Sequence, residues 1–110
     1  MSRAGGIIPL EPNPANPCFG CGGANAAGMK LAFAQDNEGQ RIVGKFSLHA
    51  RYQGGAGFLH GGIIALLLDE AMGKVCRFRA VHAVTAEMTV EYLKPVRVDE
   101  EITVEARETQ

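Results

Sequence analysis

The sequence has little that would bind nucleic acid. Its 110 residues include no tryptophan and only two tyrosines, and aromatic residues make up 6% of the chain. Eleven lysines and arginines are balanced by twelve acidic residues, which gives a formal net charge of -1. Nucleic-acid binding needs a basic surface, commonly with aromatic side chains that stack on bases. The composition therefore argues against a nucleic-acid partner.

Long apolar runs are also missing. The longest covers residues 61–68, whereas a membrane span needs roughly 18 apolar residues. The first residues lack the apolar core that precedes the cleavage site of an export signal. We therefore expect a cytoplasmic protein that is neither exported nor membrane-spanning.

A chain of this length has room for one domain. Such a domain buries only roughly 60–65% of the surface that its unfolded chain exposes. Because the resulting core is small, association with further copies would stabilise it. We expect a homodimer or a homotetramer.

Cysteine is scarce, and its number is odd. Three cysteines without an export signal suit a reducing compartment better than a disulfide framework. Cys18 and Cys21 form a C-x-x-C pair, which in other proteins binds zinc or acts in redox chemistry. No second ligand pair is spaced to complete a zinc site among Cys76 and the three histidines, His49, His60 and His82. We therefore expect free thiols, no metal and no cofactor, with a metal site and a redox pair as the alternatives.

Hydrophobic periodicity predicts an α+β domain. Residues 1–29 contain four of the five prolines, so we expect an irregular N-terminal arm there and a folded domain over residues 30–110. Apolar residues alternate on both sides of the polar turn at 36–39, as in a β-hairpin. Further alternation predicts strands at Val84–Tyr92 and Ile102–Ala106. Between them, an apolar segment from Ile63 to Phe78 predicts a long, largely buried helix around which the sheet wraps.

The predicted helix contains one residue that its surroundings do not explain. Asp69 follows six apolar residues, where an unpaired carboxylate is costly. Its neighbour Glu70 lies four residues before Lys74, a spacing that favours an ion pair on a helix, but Asp69 has no such partner. We interpret Asp69 as a functional carboxylate; the alternative is a structural one satisfied by a backbone donor or a dimer contact.

The start of the same helix carries two glycines. Gly61 and Gly62 allow a ligand to approach the first free N–H groups of the helix, which suit a carbonyl oxygen that becomes negative during a reaction. The alternative is that the glycines only permit a tight turn into the helix.

Together, residues 52–71 resemble the hotdog-fold acyl-CoA thioesterases, in particular the phenylacetyl-CoA type. The hallmark of that type is His-Gly-Gly followed by an acidic residue nine positions after the histidine, here His60 and Asp69. The segment from Cys18 to Phe33 and the segment from Ala83 to Pro95 are also similar to members of this group. The resemblance implies an antiparallel sheet wrapped around one long central helix. Members of this family usually continue with one or two more strands, so the C-terminal strands are expected to be missing here.

The resemblance also implies roles for individual residues. The Gly61 N–H would polarise the thioester carbonyl, and Asp69, from the other subunit, would be the general base or nucleophile. His60 would orient the loop or contact the thioester, and Thr85 would help to position the attacking water. The alternative for Thr85 is an ordinary polar residue on a strand face.

Three further residues are candidates for substrate binding. In the family that the sequence resembles, an amide side chain before the histidine often completes the site. Gln53 is the nearest candidate, although its spacing from His60 along the sequence does not match the family pattern cleanly. Gly62, the second glycine at the start of the helix, is the next candidate. Phe58 is a candidate for lining the acyl pocket, together with Leu66, Met72 and Met88.

The function implied by the resemblance is hydrolysis of acyl-CoA, which releases coenzyme A and a carboxylic acid. The alternative is a non-catalytic hotdog module that binds acyl-CoA or mediates dimerisation, since a fold does not determine a function. A dehydratase acting on enoyl thioesters would need a histidine paired with its acid at the other end of the site, and the segment from Asp69 to Lys74 contains no histidine.

Overall fold

The protein is described from a computed structural model, which covers residues 6–79, 85 and 87–109. Within these residues, four strands form one antiparallel sheet in the order β1-β2-β3-β4, and one long helix packs against β3 and β4. The elements, in chain order, are β1 (Ile7–Leu10), β2 (Phe33–Asp36), β3 (Arg41–Ser47), a 3-10 turn (Ala50–Tyr52), α1 (Gly61–Val75), a second 3-10 turn (Cys76–Arg79) and β4 (Glu101–Arg107).

The predicted hairpin is confirmed. Strands β2 and β3 pair antiparallel, with Gln35 opposite Ile42. The last predicted strand is confirmed as β4, which pairs with β3 along its whole length. The predicted helix is also confirmed, but it begins two residues earlier, at Gly61, and changes to a 3-10 turn after Val75.

The prediction of an irregular N-terminal arm is wrong at one place. Residues Ile7–Leu10 form β1, which pairs antiparallel with β2. Pro9 obscured this strand in the sequence because proline cannot donate a ladder hydrogen bond, yet it is tolerated on an edge strand such as β1. The division of the chain at residues 29 and 30 stays a prediction.

The strand predicted at Val84–Tyr92 is wrong for the part of it that the structure describes. Thr85 and residues 87–92 are not in a strand; the other positions of that segment lie outside the described residues. Residues 88–90 instead line a depression of about 330 Å³ beside the edge of β4. Alternation of apolar and polar residues is compatible with a strand that has one buried face. A strand also needs a neighbouring strand with which to exchange backbone hydrogen bonds.

The core lies between α1 and the sheet. Ile42 on β3 and Leu67 on α1 are fully buried, and Phe33 meets Phe46 edge to face with ring centroids 5.1 Å apart. The other buried members of this cluster are Leu31, Ala71 and Val104. Among the described residues, no helix has the length and apolar character to cross a membrane.

Replacement of Gly44 tests how tightly this core is packed. A Cβ at Gly44 would lie 2.6 Å from the Phe46 ring and 2.8 Å from the Phe33 ring, closer than real contacts allow. We expect Gly44→Ala to lower the free energy of unfolding by about 1–3 kcal/mol, measured by urea denaturation. Gly55→Ala is the control, because a Cβ there meets nothing within 4 Å. Equal stability of the two variants would contradict the described packing.

Candidate active site

The start of α1 leaves one backbone donor available. His60 has an extended backbone (φ -63°, ψ 136°) and caps the helix, since its Nδ1 accepts a hydrogen bond of 2.8 Å from the Gly62 N–H. The carbonyl oxygen of His60 accepts from the next two N–H groups, those of Ile63 and Ile64. Among the described residues, no acceptor takes the Gly61 N–H. Of the two glycines proposed at the helix start, only Gly61 therefore offers a free donor at the positive end of the helix dipole.

A tyrosine that was not predicted to belong to the site lies against the same glycine. The hydroxyl of Tyr92 donates to the Gly61 carbonyl oxygen at 2.9 Å, and its ring lies 3.6 Å from where a Gly61 Cβ would be. In the sequence, Tyr92 was one of several apolar residues at period two, so nothing distinguished it from a strand residue. The contact joins the segment after α1 to the helix start.

Beside the helix start lies a depression of about 340 Å³. It brings together three of the predicted site residues, Gln53, His60 and Gly62. The Gln53 Oε1 accepts from the Gly57 N–H at 3.0 Å. This bond holds the Gln53 amide group against the glycine-rich loop, residues 53–57. The depression therefore lies directly beside the residue that caps α1.

Phe58 lies elsewhere. It does not line this depression, and its ring packs under the Arg97 guanidinium at 5.2 Å. Phe58 also forms an isolated bridge with Arg97. Its observed contacts anchor the glycine-rich loop to the segment that leads into β4.

Asp69 is half-buried on α1, and it has a partner that local sequence could not identify. The Thr85 hydroxyl donates to Asp69 Oδ1. The expectation that Asp69 lacks a partner on its own helix holds, but its carboxylate is bound by a residue 16 positions later in the chain. The structure thus brings Asp69 and Thr85 together.

Asp69 and Gly61 are separated along the same helix. Eight residues at 1.5 Å per residue place them about 12 Å apart along the helix axis. A small group that accepts from the Gly61 N–H is therefore out of reach of the Asp69 carboxylate of the same chain.

Glu70 does not form the ion pair predicted with Lys74. The ammonium group of Lys74 lies over the Phe33 ring, 5.8 Å from its centroid. Glu70 Oε2 instead accepts from the Cys18 Sγ at 3.7 Å. The i,i+4 expectation was wrong because the arm offers Glu70 a contact from outside the helix.

The three thiols are free of disulfides. Burial, followed by the neighbouring Glu70 carboxylate, raises the pKa of the Cys21 thiol to about 12. Both effects favour the protonated thiol.

Comparisons with known proteins agree with the resemblance seen in the sequence. The model of the thioesterase superfamily matches residues 56–110, half of the chain. Acyl-coenzyme A thioesterase THEM4 from Rattus norvegicus is 35% identical over 69 residues, which cover 63% of this chain and 30% of the rat protein. Acyl-coenzyme A thioesterase 13 from Mus musculus is 28% identical over 69 residues, which cover 61% of this chain and 49% of the mouse protein. The matches thus span less than half the length of these relatives.

A solved structure gives the same result for the fold. The crystal structure of a thioesterase superfamily protein superposes with a TM-score of 0.76 at 26% sequence identity, over 86% of this chain and 46% of that one. The chain therefore belongs to the thioesterase superfamily and has the hotdog fold predicted from its sequence.

Proposed function

We propose that this protein hydrolyses the thioester bond of acyl-CoA and releases coenzyme A and a carboxylic acid. The observation that carries the proposal is a half-buried carboxylate, Asp69, held by the Thr85 hydroxyl on a helix whose first N–H, that of Gly61, has no acceptor among the described residues. Acyl transfer needs a base or nucleophile and a donor for the developing oxyanion. The names of the curated relatives support acyl-CoA as the substrate class.

The active site is proposed to form between two copies of the chain. One carbonyl carbon cannot contact both Gly61 and Asp69 of the same helix, since about 12 Å separates them along the axis. In a two-fold dimer, the Gly61 end of one helix can face the Asp69 of the other. The apolar character of α1 supports association. Leu67 and Ala71 are the only buried residues of this helix, so its other apolar side chains stay partly exposed in a single chain, and a second copy could cover them.

The proposed reaction uses water as the nucleophile. The thioester carbonyl accepts a hydrogen bond from the Gly61 N–H, while Asp69 of the second chain takes a proton from a water molecule. The water oxygen bonds to the carbonyl carbon, and the oxyanion is stabilised by the same N–H. Collapse of this intermediate breaks the carbon–sulfur bond, and the thiolate of coenzyme A leaves and takes up a proton. Direct attack by the Asp69 carboxylate, followed by hydrolysis of the anhydride, gives the same products.

A largely apolar depression between α1, residues 88–90 and the end of β4 is suited to the acyl group. It is lined by Met72 and Met88, two of the predicted acyl-pocket residues, together with Leu68 and Val90. Leu68 and Met72 flank Asp69 on α1. Methionine side chains adapt to ligands of different shape, so this pocket is compatible with aromatic and with aliphatic acyl groups.

The alternative is a hotdog module that binds acyl-CoA, or forms dimers, without catalysis. Such a module has no need for a carboxylate held beside the carbonyl, so the contact between Asp69 and the Thr85 hydroxyl favours the enzyme.

The cytoplasmic location stays a prediction from the free cysteines.

Asp69→Asn tests the general base. The substitution keeps the size of the side chain and removes its basicity, so we expect kcat to fall by roughly 100-fold or more while acyl-CoA still binds. Turnover is measured on a panel of acyl-CoA substrates through release of the free thiol. Asp99→Asn is the matched control: Asp99 is exposed and has a positive φ of 65°, a conformation that asparagine adopts readily.

Two results would contradict the proposal. Asp69→Asn with the turnover of the unmodified protein would exclude this carboxylate as the base. Unmodified protein that binds acyl-CoA but hydrolyses no member of the panel would support the binding module.

Thr85→Val tests the role of the hydroxyl. Valine has the shape of threonine but cannot donate to Asp69, and a hydrogen bond to a charged group contributes about 1.5–3 kcal/mol. We therefore expect kcat to fall at least about tenfold with KM little changed. Thr103→Val on β4 is the control for an exposed threonine. An unchanged kcat for Thr85→Val would make Thr85 an ordinary polar surface residue.

A further inference from the structure

The C-x-x-C pair of the arm and the acidic residue beside Asp69 converge on one point. Cys18, Cys21 and Glu70 each present one ligand atom, and the three atoms lie within 4.8 Å of one another. Each of the three residues is half-buried. The cluster joins residues 52 positions apart in the chain.

We propose that Cys18, Cys21 and Glu70 form a zinc site that fastens the N-terminal arm to helix α1.

The separations fit a tetrahedral zinc ion. Zinc lies about 2.3 Å from a cysteine sulfur and about 2.0–2.2 Å from a carboxylate oxygen, so two such ligands of one tetrahedral ion lie roughly 3.5–3.8 Å apart. The Cys18 Sγ and Glu70 Oε2 are 3.7 Å apart. Little movement is then needed to place an ion between these atoms.

The donor set selects the metal. Two soft sulfur ligands favour zinc over calcium or magnesium, which prefer oxygen ligands. A spacing of two residues between the cysteines is one that zinc sites commonly use. Three protein ligands leave one tetrahedral position for a water molecule, and the half-buried location gives solvent access to that position.

The arm holds the two cysteines in place before any ion binds. The Gly22 N–H donates to the Cys18 carbonyl oxygen at 3.0 Å, and the Cys18 N–H donates to the Asn16 side chain at 3.0 Å. The Phe19 carbonyl oxygen accepts from the Met29 N–H at 2.7 Å. These bonds form a compact turn around the C-x-x-C pair, so its ligand atoms are preorganised.

Two further features leave the Glu70 carboxylate available. A Cβ at Gly20, between the cysteines, would lie 2.6 Å from Glu70 Oε2, so only glycine permits the carboxylate to come so close. Lys74, the cation at the i+4 position, lies over the Phe33 ring. Within the described part of the chain, no lysine or arginine forms an ion pair with Glu70.

The site has a structural role in this proposal. Successive residues of a helix point about 100° apart, so Glu70 and Asp69 face different sides of α1. Zinc would therefore connect the arm to the helix without touching the reacting thioester. The sequence shows no second cysteine or histidine pair. The third ligand is a glutamate, which the i,i+4 spacing pairs with Lys74, so nothing in the sequence alone predicted a metal here.

The test begins with the metal content of untagged, full-length protein purified under reducing conditions. We expect elemental analysis to give about one zinc per chain. Cys18→Ser, Cys21→Ser and Glu70→Gln should each bind zinc at least about 100-fold more weakly than the unmodified chain, in a titration of apoprotein against a chromophoric chelator. Cys76→Ser and Glu87→Gln are the matched controls, and both should bind as the unmodified chain does.

A second measurement needs no variant, in case a substitution prevents folding. Cobalt(II) added to the unmodified apoprotein should give the near-ultraviolet charge-transfer band of thiolate coordination, and zinc should displace it. Removal of zinc should also lower the midpoint of thermal unfolding.

Several outcomes would overturn the proposal. One is reduced apoprotein that binds zinc no more tightly than Cys18→Ser does. Another is a cobalt complex without a thiolate band. Equal loss of zinc in Cys76→Ser, or a Cys18–Cys21 disulfide that persists under reducing conditions, would also exclude the site.

Discussion

The geometry of one helix constrains the rest of the proposed site. Gly61 begins α1, and Asp69 lies eight residues later, about 12 Å further along its axis. A donor for the thioester oxygen and a base for the attacking water must both lie within hydrogen-bonding distance of one reacting group. In a single chain these two groups are too far apart. The proposed mechanism therefore requires two copies of the chain whose α1 helices run in opposite directions.

The remaining contacts hold that helix from three sides. Leu67 and Ala71 are buried against the sheet, where β3 and β4 carry Ile42 and Val104. On another side, Glu70 contacts Cys18 of the arm. The segment after the helix returns to it twice, through the Thr85 hydroxyl at Asp69 and the Tyr92 hydroxyl at Gly61. Both ends of the proposed chemistry are thus supported by residues from the same following segment.

Local patterns predicted the elements that depend on local chemistry. The hairpin of β2 and β3 followed from alternation on both sides of a polar turn, and the helix followed from an apolar run with good helix formers. The segment that includes residues 87–92 alternates as cleanly as β4, yet these residues have no strand structure, because pairing depends on a neighbouring strand. The β1 strand was missed because Pro9 argues against a strand unless the strand lies at a sheet edge.

At the site, too, local sequence predicted individual residues but not the distant residues that contact them. The His-Gly-Gly segment and Asp69 were identified from spacing and from the cost of a carboxylate in an apolar helix. The partners of these residues were not, since Thr85 and Tyr92 reach the helix from positions 16 and 31 residues away. Glu70 was assigned to Lys74 by the helix i,i+4 rule, but a contact with the arm, 52 residues distant in sequence, replaced that pair.

The most direct test of the shared site is complementation between two inactive variants. Asp69→Asn removes the base, and Gly61→Pro removes the proposed oxyanion donor. Proline is compatible with the first position of a helix, and the extended backbone of His60 suits a residue before proline.

Equal amounts of the two variants, unfolded and refolded together, would form random dimers. The account predicts recovery of about a quarter of the unmodified activity, since half of the dimers are mixed and each mixed dimer has one intact site of two. Activity that stays at the level of the separate variants, although mixed dimers have formed, would contradict the account.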